Sequence, residues 1–219
     1  MRGECFLSKA DQNEQIRSMT AFLKARLSKK RFSHSVNVAR AAFALAERWG
    51  ADPQRAYLAG LLHDCCKELP FSEQAELMRS CPFPASEIEW LCKPVWHGIA
   101  AASYMYTELG IDDMEVLGAA RWHTVGRADM TKLEEIVYMA DLISADRTYR
   151  DVERFRKMAQ NDLDKAMLCA FQWAIESVMK KETPLPVSTV EAYNFYLKKM
   201  TARSDRKSEQ NTKSTGSSE

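Results

Sequence analysis

Apolar residues recur along most of this chain at spacings of three and four, the mark of helices that each bury one stripe. Ile16, Met19, Leu23 and Leu27 form the first stripe, and Ser8 with Asp11 before it resembles a capping box. The basic turn Ser28-Lys29-Lys30-Arg31 leads to a second helix over about 33–49, with His34 in its first turn. Its apolar positions include Val36, Ala39, Phe43 and Ala46, and Gly50 is its stop. Asp52-Pro53 reads as an N-cap followed by proline at the first helical position. The helix it opens carries Leu58, Leu61 and Leu62 to His63-Asp64, and Pro70 limits it. Pro82, Pro84 and Pro94 restrict the following stretch to short helices at about 72–80 and 86–92.

An alanine-rich helix opens at His97-Gly98 and runs to Leu109, with Gly110 as its stop. Asp112 or Asp113 caps the next, which passes Val116, Leu117 and Ala120 to reach His123. Thr131 with Glu134 is a capping box for a helix that ends near Asp141. Two more helices are expected at about 151–160 and 163–182, the latter with Ala166, Ala170, Trp173 and Val178. Ser188 with Glu191 caps a last one. No period-two alternation is sustained and no internal repeat occurs, so the class is all-α. From Ala202 the chain turns Ser-, Thr-, Lys- and Asn-rich without apolar anchors. The expected division is therefore one domain, 1–201, and a disordered polar tail, 202–219.

Charge narrows the range of functions. The net charge is +1, and the tail, with four Lys/Arg against three Asp/Glu, accounts for it. Residues 1–201 sum to zero, which argues against nucleic acid as a partner. Any affinity for phosphates rests on a few placed cations. No signal-peptide pattern opens the chain and no apolar run approaches membrane-spanning length. The six cysteines show no C-x-x-C spacing, so reduced thiols in a cytoplasm are expected and no membrane partner is.

The chemistry concentrates at Leu61-Leu62-His63-Asp64-Cys65-Cys66-Lys67, where an apolar run ends in an imidazole, a carboxylate and then an ammonium. Burying His63 and Asp64 beside leucines is costly unless something pairs with them. A divalent transition metal uses both, since imidazole nitrogen and carboxylate oxygen are its usual ligands. The chain has only four histidines, His34, His63, His97 and His123, each in or at the edge of an expected helix, and Asp141 ends another apolar stretch. With Asp64 they make six candidate ligands. Thiolate ligation by Cys65 or Cys66 is an alternative, less suited to a set already rich in harder donors.

These residues resemble the HD superfamily of metal-dependent phosphohydrolases, and within it the YqeK family of symmetrical diadenosine tetraphosphate hydrolases. The resemblance is carried by Arg31-Phe32-Ser33-His34-Ser35, by Leu61 to Pro70, by Trp96-His97-Gly98, by Ala120 to Arg127, and by Tyr138-Met139-Ala140-Asp141 with Arg147. It covers roughly residues 15–200; Cys65-Cys66 and Ser144-Ala145-Asp146 depart from the family pattern. It implies an HD-domain helical bundle and a binuclear centre, usually of iron, with manganese also suited to these ligands. His34, His63, Asp64 and Asp141 would hold one ion. His97 and His123 would supply a second, bridged by Asp64. Lys67, Arg127 and Arg147 would contact phosphate oxygens, with Arg31 a weaker candidate of the same kind. The reaction implied is hydrolysis of a dinucleoside polyphosphate at an anhydride. Another HD phosphohydrolase, acting on mononucleotides or alarmones, and a non-catalytic metal or nucleotide sensor stay open, as does a homodimer.

Overall fold

The computed structural model describes the backbone of residues 9–215 and the side chains of residues 14–206. The described residues open with α1 (Lys9–Arg26), α2 (Lys29–Trp49), α3 (Pro53–Leu62), α4 (Phe71–Arg79), α5 (Glu87–Trp90), α6 (Trp96–Thr107), α7 (Met114–Trp122) and α8 (Lys132–Ile143), of which α2, α3, α6, α7 and α8 carry the chemistry. A 3-10 turn, Lys93–Val95, links α5 to α6. Then come α9 (Val152–Asn161), α10 (Leu163–Lys180) and α11 (Val187–Thr215). No strand occurs among the described residues, as the absence of alternation predicts.

Several of the caps legible in the sequence form as expected. Asp52 accepts hydrogen bonds from the backbone N–H groups of Gln54 and Arg55, with Pro53 opening α3. Thr131 and Glu134 complete a reciprocal box on α8, and Asp113 caps α7. Gly50 ends α2 at φ +75°, the left-handed conformation that glycine adopts without steric cost. Other boundaries differ. Ser28 caps α2 through the Arg31 N–H, so the helix starts earlier than its apolar stripe suggests and His34 lies in its second turn. Its buried face runs through Val38, Ala39, Ala42, Leu45 and Ala46, while Val36 and Phe43 are only half-buried. Ala166 and Ala170 of α10 are buried, whereas Trp173 is 38% exposed and stacks on Tyr149. Ser188 lies inside the first turn of α11 and its buried hydroxyl has no partner. Thr189 is the residue bonded there, to the Val125 carbonyl.

The polar segment from Ala202 differs in part from its expected disorder. α11 continues through it to Thr215, and Arg203 pairs with Asp162 at 2.8 Å. One helical turn hands its hydrogen bonds to the next, so a helix nucleated at Val187 propagates into polar sequence. Residues 216–219 lie outside the described residues, as does Ser8 of the proposed first capping box.

α2 packs along α3 on one side and α8 on another, and α7 closes against α3, α6 and α8. Gly60 makes the α2–α3 approach close: a Cβ there would lie 3.0 Å from the Ala39 Cα. That contact sets the C-terminal end of α3 beside the N-terminal half of α2. The main core, centred on Leu45, Leu61, Leu62, Leu117 and Ile136, surrounds this junction. A smaller cluster of Met78, Cys92, Trp96, Ile99 and Val125 packs the 71–99 region beside it.

Candidate metal centre

The functional side chains come from helices and from the turn after α3, and they point inward together. His34 is on α2; His63 is the residue that closes α3; Asp64 lies in the turn that follows. The sequence places His63 and Asp64 on a helix, but the helix ends at Leu62. The Cys65 N–H then bonds to the Leu62 carbonyl and the Lys67 N–H to that of Asp64, a succession of tight turns. His97 opens α6, His123 closes α7, and Asp141 is in the last turn of α8.

The structure brings all six expected ligands together. His34 Nε2 is 3.0 Å from Asp141 Oδ1, and His63 Nε2 is 3.9 Å from the same atom. Asp64 turns its two oxygens to different neighbours. Oδ1 lies 3.2 Å from His97 Nε2 and 3.6 Å from His123 Nε2, while Oδ2 lies 3.5 Å from His63 Nε2 and 3.8 Å from His34 Nε2. Two compact donor groups result: His34, His63 and Asp141, and His63, Asp64 and His123.

These donors suit divalent ions. His34 Nε2, His63 Nε2 and Asp64 Oδ1 are buried without a hydrogen-bond partner, and such atoms are costly to bury unless something binds them. The Nδ1–H groups of His63 and His123 donate to the Gly60 and Ala120 carbonyls at 2.7 Å each, turning Nε2 inward. Burial lowers the His97 pKa well below its ordinary value, with Lys67 and His123 adding to the effect against Asp64. It lowers that of His123 as well. Both rings are therefore neutral near pH 7, the form that ligates. His63 is the exception: burial lowers its pKa, but Asp64 and Asp141 outweigh burial and raise it. Burial pushes the Asp64 and Asp141 carboxyls up, yet the surrounding histidines, joined at Asp141 by Arg147, hold both well below the usual range.

The cations divide differently from the sequence expectation. Arg31, the weaker candidate, reaches Asp64 Oδ2 at 2.5 Å. Arg147 pairs with the Asp141 carboxylate and donates from Nε to the Asp141 carbonyl at 2.9 Å. Lys67 Nζ is 3.1 Å from both ring nitrogens of His97, and burial lowers its pKa. Arg127 is instead engaged elsewhere: its guanidinium pairs with Glu134 at 2.9 Å and donates to the Ala128 carbonyl. Glu134 is the acidic member of the α8 capping box, so Arg127 braces that cap rather than the cluster.

Cys65 and Cys66 are buried side by side, Sγ to Sγ 3.8 Å, and neither joins the two donor groups. The neighbouring Cys66 thiol and burial push the Cys65 thiol well above its ordinary pKa, against thiolate ligation. The sequence reading misses Asp146, whose Oδ2 accepts from His34 Nδ1 at 2.8 Å. Burial would raise its pKa, but the His34 contact holds it down. A carboxylate one residue before Arg147, itself a site candidate, is the signal that could have found it.

An all-helical bundle whose helix ends converge four histidines and two aspartates on one buried point is a divalent-metal hydrolase in class. The HD domain family model matches residues 31–146, and the chain belongs to that family. Within it the chain belongs with the symmetrical bis(5′-nucleosyl)-tetraphosphatases. It is 34% identical over 175 residues to that of Bacillus subtilis, covering 80% of this chain and 94% of the relative. The same identity over 175 residues links it to that of Staphylococcus aureus, covering 79% and 90%. A solved Clostridium acetobutylicum protein, described as an HD superfamily hydrolase involved in NAD metabolism, superposes with a TM-score of 0.80 at 35% identity. That match covers 84% of this chain and 97% of the other.

Proposed function

We propose that this chain hydrolyses diadenosine tetraphosphate symmetrically, to two ADP, at a binuclear centre of iron or manganese in the cytoplasm. The observation that carries the reading is Asp64, one carboxylate facing His97 and His123 through Oδ1 and His34 and His63 through Oδ2. His34, His63, Asp64 and Asp141 would hold one ion, and His97 and His123 would hold a second that shares Asp64. Such ions supply Lewis acidity and lower the pKa of water toward neutrality.

The chain's own residues supply the rest. Arg31, Lys67 and Arg147 place three cations at the cluster, and the two arginines can fork onto phosphate oxygens. Half-buried positions keep their fields stronger than in open water. One nucleoside diphosphate half seated on these cations puts the central anhydride at the buried donors. Water adds to that half's terminal phosphorus, the anhydride oxygen leaves with the other half, and each half departs as ADP. All-imidazole and carboxylate donors favour iron or manganese over thiolate-seeking ions. The cysteines among the described residues are all unpaired thiols, which supports a reducing compartment.

Chromatography of an early time point tests the assignment. ADP as the sole early product is expected; AMP and ATP in equal amounts would place the attack at an outer phosphate. No turnover of dinucleoside tetraphosphate, with turnover of a mononucleotide or alarmone, would move the enzyme to another HD substrate class.

A further inference from the structure

We infer that Asp146 is a positioning residue that aims His34 toward the centre and fixes its tautomer, held in place by the turn between α8 and α9. Three of the four histidines have Nδ1 held by an oxygen acceptor. For His63 and His123 the acceptor is a backbone carbonyl three residues earlier, which comes with the helix end itself. His34 lies inside α2, where the preceding carbonyls are engaged in helical hydrogen bonds, so its acceptor must come from elsewhere in the chain. It comes from Asp146, at 2.8 Å and 112 positions along the sequence. A carboxylate is the strongest acceptor of the three. Bonded to Nδ1–H, it fixes the tautomer that leaves Nε2 for a ligand and holds the ring's orientation.

The surroundings hold Asp146 in place. Asn37, one turn along α2 from His34, donates from Nδ2 to Asp146 Oδ1 at 3.2 Å. The Arg147 N–H bonds to the Ser144 carbonyl, closing the turn. Arg156 of α9 clamps it from outside, with Nε on the Ile143 carbonyl at 3.0 Å and Nη2 on those of Ser144 at 2.8 Å and Arg147 at 3.1 Å. The same turn sends Arg147 back to Asp141. One clamped segment thus sets both the imidazole and the carboxylate of a single donor group.

The inference rests on the metal reading proposed above, and the test separates the two. Full-length wild type, Asp146→Asn and Asp146→Ala are titrated with Mn2+ against a competing chelator, and activity is followed as Mn2+ is raised. Asn keeps an acceptor oxygen without the charge and preserves shape should Ala impair folding. The expected result is selective: Asp146→Ala weakens one ion about 10- to 100-fold, Asp146→Asn about 10-fold or less, and the other ion less than about threefold. The Mn2+ concentration for half-maximal activity rises in step, and kcat recovers at saturating Mn2+. A merely structural role would weaken both ions together. Wild type that binds two ions, with variants that match it or lose both equally, overturns the inference alone. Wild type that takes up no Mn2+ overturns the metal reading and the inference with it.

Discussion

Glu89→Ala is expected to cost this protein a large share of its stability, because it strands a buried guanidinium. Arg121 of α7 is among the largest fully buried side chains of the described residues, 1% exposed, and its Nη2 sits 2.8 and 2.9 Å from the two Glu89 oxygens. Its guanidinium also lies 4.0 Å from the centre of the Trp122 ring. Burial lowers the Arg121 pKa, yet an arginine stays protonated at any working pH. Removing its partner leaves the charge uncompensated, at about 3–5 kcal/mol. Glu89 also accepts from the Ser86 N–H and hydroxyl at 2.9 Å each, closing the α5 capping box, and losing a cap adds about 1 kcal/mol. Together these consume much of the roughly 5–15 kcal/mol that holds a typical domain folded. In a chain of this size the melting temperature falls by about 2–4 °C per kcal/mol, so a drop of roughly 10–20 °C is expected.

The decisive comparison is with Glu89→Ala/Arg121→Leu, both melted by calorimetry and circular dichroism. Arg121 Nη1 already lacks a hydrogen-bond partner, so the native pair recovers its desolvation cost only in part. An apolar replacement for both should regain at least half of the lost melting temperature, since the stranded charge is gone. A drop below about 3 °C for the single variant, or a double variant less stable than the single, would refute the reasoning.

Three further outcomes can be checked. Protein purified without chelator should carry close to two transition-metal ions, and His97→Ala with His123→Ala should bring it to one; one ion in wild type, unchanged by the pair, would leave a single-metal site. Cys65 is buried, with its thiol pKa held up by Cys66 and burial, so it stays protonated and should resist alkylation at pH 8 in folded protein. Mass spectrometry showing Cys65 modified as fast as in urea would contradict this. Deleting residues 202–219 removes the half-buried Arg203–Asp162 pair, worth about 1 kcal/mol, so activity should hold and the melting temperature should fall by less than about 4 °C. A larger loss would show that this part of α11 anchors the domain.

What the sequence makes legible is what local chemistry determines. Asp52-Pro53, Thr131 with Glu134, and Gly50 act within three or four residues, so their roles can be read off neighbouring letters and the structure repeats them. The convergence of the six side chains is legible for a different reason: histidines and aspartates at the ends of apolar runs have few other ways to be accommodated. The cations were not. Arg127 looks free beside His123 in sequence, yet Glu134 takes it at 2.9 Å; Arg31 looks like part of a basic turn, yet the fold lays it on Asp64. Periodicity also misjudges the rotation of α2, because Phe43 is apolar but faces the half-buried side. Asp146 and His34 meet across 112 residues, and no pattern within either helix announces it.

The local charge at the centre argues for the substrate class where the whole-chain charge could not. A net charge of +1 gives no general attraction to polyanions. The side chains at the cluster sort into carboxylates, Asp64, Asp141 and Asp146, and cations, Arg31, Lys67 and Arg147, in contact with one another or with the histidines between them. Protein charge alone is thus near balance there. If two divalent ions join this set, the balance becomes strongly positive over a small, mostly buried volume, and Arg31 and Arg147 share carboxylates that the ions also claim. A run of several phosphates, each bearing charge, answers both changes: it neutralises the excess and offers the arginines new acceptors. A single phosphate ester satisfies less of it. This charge demand favours a chain of several phosphates over a single phosphate ester.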